Sequence, residues 1–331
     1  MEARSADAIP AGDGWLYEPK WDGFRCLAFR DGDEVFLQSK NGLPLARYFP
    51  EIADQIRRLK PDRFVLDGEL VIRQGSELSF DALQNRLHPA SSRVRKLAKE
   101  TPATLLVFDL LVDERGKKIT ELPLGQRRPK LEAFARRFFS KDIRLSKATH
   151  QRRVVDGWFS SVGGALDGII AKRLGRGYLS GDRNGVVKVK KLRTADCVVG
   201  GFRYASNARV VGSLLLGLYD RSGKLNHVGF TSGLSAQERK RLLSVLRPLV
   251  KGPGFTGVTP GGPSRWSTER SDQWEPLAPK LVVEVSYDHV SDGRFRHGTR
   301  LLRFRPDKSP RQCGMDQITV KASASLLRLS T

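Results

Sequence analysis

Apolar residues along the first two thirds of this chain gather in short runs separated by turn residues, and such runs mark short strands with a few helices inserted. Arg25 to Arg30 and Glu34 to Ser39 flank Asp31-Gly32-Asp33, a turn signal that closes a hairpin. Lys20 then lies just before a strand. Phe64 to Asp67 and Glu69 to Arg73 read as strands on either side of Gly68, and Thr104 to Leu111 is an apolar run interrupted only by Asp109. Helical spacing is rarer. Ser79 is placed to cap a helix whose Phe80, Leu83 and Leu87 share one face, and Leu124 to Phe139 forms a second helix, basic on one side, with Pro129 near its start. Leu166 to Arg173 and Val186 to Lys191 are two further strands, joined by the Gly- and Arg-rich segment Leu174 to Gly185.

From Ala195 the texture changes. Strands are expected at Cys197 to Phe202, Ser213 to Tyr219 and Leu225 to Phe230. Ser235-Ala236-Gln237-Glu238 is a capping box that opens a helix running to about Val250. A Gly/Pro-rich loop, Lys251 to Pro263, precedes strands around Leu281 to Tyr287 and Leu301 to Arg305. Five strands with a helix between the third and fourth outline an OB-type barrel. The expected fold class is α+β, with a mixed domain over 1–193 and an all-β OB-fold domain over 194–331.

Charge narrows the partner. With 58 Lys and Arg against 36 Asp and Glu the net charge is +22 and the pI about 10.3, an excess spread over both halves. A polyanion such as nucleic acid draws affinity from released counterions. A membrane surface would call for a basic amphipathic helix or a lipidation signal, and neither is present, so no membrane partner is expected. Cys26, Cys197 and Cys313 are odd in number and far apart, which argues against a disulfide framework or a zinc site. No apolar run approaches the ~20 residues of a membrane span. No export signal is evident either, and a cytoplasmic, nucleoid-associated protein is expected.

The chemistry concentrates in Lys20-Trp21-Asp22-Gly23-Phe24-Arg25. An amine is a nucleophile only when neutral, and a free lysine with a pKa of about 10.4 has roughly one neutral copy in a thousand at pH 7. Nearby cations disfavour the ammonium, and Arg25 is the first candidate. Taken alone the string is more often a solvated turn. Lys188-Val189-Lys190 sets two ammonium groups on one face of a strand, either as an edge guard or as a grip on an anion such as a triphosphate. Asp22-Gly23, Asp67-Gly68-Glu69 and Asp167-Gly168 each put an acid beside a glycine, usually a turn. Magnesium is held by one or two carboxylates plus phosphates and water, a role open to Glu69 and Asp167. Phe108 is either core or a face on which a purine stacks. The five histidines show no ligand spacing, and Cys26 reads as a small core side chain.

Six motifs, in order from about Trp15 to Lys308, resemble those of the covalent nucleotidyltransferases, and specifically of ATP-dependent DNA ligases of the small bacterial type. The resemblance implies a nucleotidyltransferase (adenylation) domain of antiparallel sheets with flanking helices, then the OB fold. It makes Lys20 the residue that carries AMP and places Glu18, Arg25, Lys40, Glu69, Phe108 and Lys172 around the nucleotide. Lys188, Lys190, Arg305 and Lys308 fall on its phosphates. Glu69 and Asp167 become metal ligands. Lys40 stands where the family more often has Arg, Asp167 where Glu is usual, and Val186 where this type usually has Trp. The implied cofactors are ATP and Mg2+, with Mn2+ as a substitute. The implied partner is nicked double-stranded DNA, with a repair polymerase or end-binding protein as a candidate associate, and the chain is expected to be a monomer. RNA ligases and GTP-dependent capping enzymes share Lys-x-Asp-Gly, and a catalytically inactive DNA-binding relative is the remaining alternative.

Overall fold

The computed structural model describes residues 1–75, 77–160, 162, 166–261 and 273–319. The chain divides into two compact units, one formed by Met1–Lys191 and the other beginning at Leu192. The last dozen residues of the expected second domain, 320–331, and positions 262 and 263 of the Gly/Pro-rich loop lie outside the described residues.

The first unit begins with β1 (Arg4–Ser5), β2 (Trp15–Trp21), β3 (Phe24–Asp31), β4 (Glu34–Ser39) and β5 (Arg63–Gln74). It continues with β6 (Glu77–Leu78), β7 (Ala103–Val112), β8 (Ile143–Leu145), β9 (Leu166–Arg173) and β10 (Val186–Lys190). Its helices are α1 (Pro50–Arg58), α2 (Phe80–Arg86), α3 (Ser91–Glu100), α4 (Leu124–Phe138) and α5 (Arg152–Ser160). One sheet has the order β4-β3-β5-β7-β8 and the other β1-β10-β9-β2. Each has its own core. Phe64, Leu66, Leu70 and Ile72 of β5 pack with Ile52 and Ile56 of α1 and Phe134 of α4, whereas Trp15 and Tyr17 of β2 pack with Val155 and Trp158 of α5. Full burial of such side chains contributes about 1.5–3 kcal/mol each, which holds both sheets rigid beneath the residues they carry.

Three local expectations change. Residues 63–74 form one strand, with an irregularity between Asp67 and Gly68 instead of a turn. Asp167-Gly168, by contrast, lies within β9, the strand expected over Leu166 to Arg173, because buried neighbours on both sides keep the chain in the ladder. Pro129 sits inside α4, past its first turn. Leu87 falls just after α2 and is 38% exposed, while Leu83 alone of the expected apolar face is fully buried.

The second unit contains β11 (Arg193–Ala205), β12 (Ala208–Tyr219), β13 (Leu225–Thr231), α6 (Ala236–Leu246), β14 (Glu275–Pro276), β15 (Val282–Tyr287), β16 (Val290–Ser291), β17 (Arg294–Phe295) and β18 (Arg300–Phe304). Its sheet has the order β13-β12-β11-β15-β18, and an isolated bridge joins Thr231, at the end of β13, to Thr299, the residue before β18. The helix lies between third and fourth long strands and opens on the Ser235/Glu238 capping box, as an OB fold requires.

His227 in β13 is buried there, and its Nδ1 accepts a hydrogen bond from Arg294 Nη2 at 2.9 Å. Burial first, then Arg294 and Arg203, pushes the imidazole down to about 3. The folded state therefore refuses a proton that the unfolded chain takes up below about 6.5, and this contribution to stability is lost as pH falls from there toward 3. Urea unfolding at pH 7 and pH 5 is expected to show wild type losing up to about 1.4 kcal/mol per pH unit more than His227→Gln. Equal pH dependence would refute the assignment.

Candidate active site

Lys20 is the penultimate residue of β2, and the ladder places it opposite Gly168 of β9, which in turn faces Lys190 of β10. The three strands thus line up two ammonium groups with a glycine between them. Asp167, next to that glycine, answers both: its Oδ2 lies 2.5 Å from Lys20 Nζ and 3.1 Å from Lys190 Nζ. Burial alone would raise the Asp167 carboxyl, but the two lysines hold it below the ordinary range. Lys188, one step along β10, is pushed down by burial and then by Lys190 and Lys20. An anion entering beside these lysines would relieve their mutual repulsion.

The turn that follows Lys20 is pressed against β5. A Cβ on Gly23 would come within 2.2 Å of the Leu70 carbonyl oxygen, so only glycine lets the motif bring β3 so close to β5. Arg25 then faces Asp67 and donates to both carboxylate oxygens at 3.1 and 2.7 Å. Tyr178 donates its hydroxyl to the same Asp67 at 2.9 Å. The expected role of Arg25 as the cation beside Lys20 is therefore corrected: Asp67 neutralises it, and the lysines of β10 stand next to Lys20 instead.

One cavity is lined by Glu18, Lys20, Arg25, Glu69, Phe108 and Lys172. Both sheets contribute. Phe108 presents its ring with Lys172 Nζ 4.4 Å from its centroid, and Glu18, almost fully buried, pairs with Lys172 at 2.8 Å and Arg128 at 3.5 Å. Burial, only partly offset by Lys20 and Arg25, pushes Glu69 up to about 8. Lys40 lines a neighbouring recess with Met1 and Tyr178 and reaches Glu2 at 3.9 Å. Arg305 and Lys308 belong to the second unit, where both grip Asp196, at 2.9 and 2.6 Å.

Tyr178, Asp67 and the pair Asp109–Arg127 were not singled out as site residues by sequence. Yet Asp67 and Asp109 each interrupt an apolar strand run, and a buried acid demands a cation. Arg127, fully buried on α4, meets Asp109 with two hydrogen bonds of 3.0 and 2.9 Å. Arg127→Met is expected to leave that carboxylate unpaired and to cost about 3 kcal/mol or more in denaturant unfolding; an unchanged midpoint would show the pair to be dispensable.

A magnesium ion needs a small set of carboxylates. Asp167 is the counter-ion of Lys20 and Lys190, and Glu69 lines the cavity together with Lys20, so these are the two carboxylates that would serve an ion bringing its remaining ligands with a triphosphate. Among the described residues there is no group of three or more His, Cys, Asp or Glu able to form a cage of its own. No helix among them is long and apolar enough to cross a membrane.

Both units match families of known proteins. Residues 3–190 match the ATP dependent DNA ligase domain and residues 207–308 the ATP dependent DNA ligase C terminal region. DNA ligase C of Mycobacterium tuberculosis is 42% identical over 98% of this chain and 95% of its own. The multifunctional non-homologous end joining protein LigD of Pseudomonas aeruginosa is 30% identical over 92% of this chain, a match that spans 35% of LigD. A solved Lig E DNA ligase shares the fold with a TM-score of 0.57 at 17% identity, covering 88% of this chain and 93% of that one. A domain match across more than half of the residues and a relative similar over nearly the full length give one conclusion: the chain belongs to the ATP-dependent DNA ligase family.

Proposed function

We propose that this protein seals nicks in duplex DNA with ATP through a covalent lysyl-AMP at Lys20. The observation that carries the reading is Lys20 Nζ at the wall of the cavity that Phe108 and Lys172 line, with Lys190 and Asp167 beside it. Adenine stacks on Phe108. Lys20, once deprotonated, attacks the α-phosphorus, a P–N bond forms, the bond to the β-phosphate breaks, and pyrophosphate leaves. Lys188 and Lys190 counter the charge that builds on the phosphoryl oxygens, and Arg305 and Lys308 exchange Asp196 for the departing pyrophosphate. Arg25, aimed by Asp67 and Tyr178, contacts ribose or phosphate, while Glu18 holds Lys172 against the ring. Magnesium held by Asp167 and Glu69 would offset phosphate charge when bound. The 5′-phosphate at the nick then attacks the AMP phosphorus and displaces Lys20, forming an anhydride, and the adjacent 3′-hydroxyl attacks the phosphorus of that 5′-phosphate, forms the phosphodiester and expels AMP. Duplex DNA suits the basic charge of both units. A role in repair, with an end-binding protein or polymerase nearby, is supported by the likeness to a protein named for end joining.

The test is incubation with α-labelled ATP or GTP and magnesium, followed by denaturing electrophoresis and a nicked-duplex sealing assay. Label from ATP alone, and sealing, are expected. Label from GTP alone, or labelling without sealing, would overturn the reading.

A further inference from the structure

Away from the nucleotide cavity, α4, the segment from β8 through residue 149, and α5 enclose an open groove of about 930 Å³. Its floor includes Phe139, Ile143 and Trp158, and its rim includes Arg136, Lys141 and Lys147. Glu132 is the acid along it, and Arg128 already pairs with it at 2.9 Å. Two features select an occupant. Unbalanced cations around an apolar floor complement a chain that carries both acids and apolar side chains. A duplex would leave that floor unused, and a purely acidic chain would satisfy only the rim. β8, which contributes Ile143, Arg144 and Leu145 to the groove, ends its sheet, with β7 as its one strand partner and Ile143 also held in a local bridge to Ser140. Such an edge is a template for an added strand.

We propose that this groove is a docking site for an extended acidic, amphipathic segment of a partner protein, laid beside β8 with alternate apolar side chains on the floor and alternate carboxylates at the rim. Arg128 gives the site a reason to matter to the enzyme. It lines the groove, donates to the Ser146 carbonyl at 2.7 Å and reaches Glu18 of the nucleotide cavity. A bound segment therefore touches a side chain one ion pair away from the nucleotide.

Selection of a displayed random 12-residue library on the intact protein tests this, with counter-selection on Lys141→Glu/Lys147→Glu. Enriched sequences are expected to alternate Asp or Glu with Leu, Ile or aromatic residues. Synthetic copies should bind wild type with fluorescence anisotropy, weaken at least tenfold on the double variant, and resist displacement by nicked duplex. Lys141→Ala/Lys147→Ala, a milder change, should weaken binding less, and both variants should keep wild-type melting and ATP self-labelling. No enrichment, enrichment of sequences without acids, helical spacing of the apolar positions, equal binding to both variants, or displacement by nicked duplex would each overturn the proposal.

Discussion

Lys20→Ala is expected to reduce ATP self-labelling below roughly a thousandth of wild type while leaving the protein folded. A positioned nucleophile has no substitute in the step it performs: the lysines that line the cavity are Lys20 and Lys172, and Lys172 is paired with the buried Glu18. Folding survives because Asp167 keeps Lys190 as its counter-ion when Lys20 is removed. The variant also separates chemistry from architecture. Sealing of a nick that already carries AMP on its 5′-phosphate needs no amine at position 20, and should persist. Persistent labelling of Lys20→Ala would refute the nucleophile, whereas loss of both activities with a normal melting transition would show that Lys20 also holds the third step together.

Why so much of this site is legible in the sequence, and part of it not, follows from the two ways its residues are held. Lys20, Asp167, Lys188 and Lys190 sit on strands whose alternation can be read directly: Val187 and Val189 are buried on one face of β10, and the lysines take the other. The ladder then does what no local pattern announces, bringing residues 20, 168 and 190 into one row. The expectation that Arg25 is the cation beside Lys20 fails for the opposite reason. Its partner Asp67 lies 42 residues away, inside a run that resembles a turn because Asp-Gly usually marks one; only the pairing of β3, β5 and β7 shows that the chain passes straight through. Tyr178 comes from the Gly- and Arg-rich connection between β9 and β10, where no periodicity exists to mark it. In the second unit the capping box and strand spacing specify the barrel, yet the anchoring of Arg305 and Lys308 on Asp196 depends on a strand more than a hundred residues earlier.

Gly168→Ala is expected to damage stability and activity together, through geometry alone. Gly168 has φ of +149°, a conformation that side-chain-bearing residues rarely adopt, and an added Cβ would lie 2.1 Å from the Val189 carbonyl oxygen and 3.0 Å from the Lys190 Cα. Neither neighbour is the movable end of a side chain. β10 would have to withdraw from β9, taking Lys190 away from Asp167 and opening the row that sets Lys20 at the cavity. Backbone strain and lost ladder bonds together cost about 3 kcal/mol or more, a fall in Tm of roughly 6–12 °C, with self-labelling at 20 °C down at least tenfold. Gly157→Ala is the control: it lies in α5 with nothing within 4 Å of the added carbon, where alanine favours the helix by about 0.5–1 kcal/mol. If the two variants melted and labelled alike, the close approach of β10 to β9 would have no part in holding Lys190 and Asp167 beside Lys20; a selective loss at position 168 would make the missing side chain as necessary to the site as the charged ones around it.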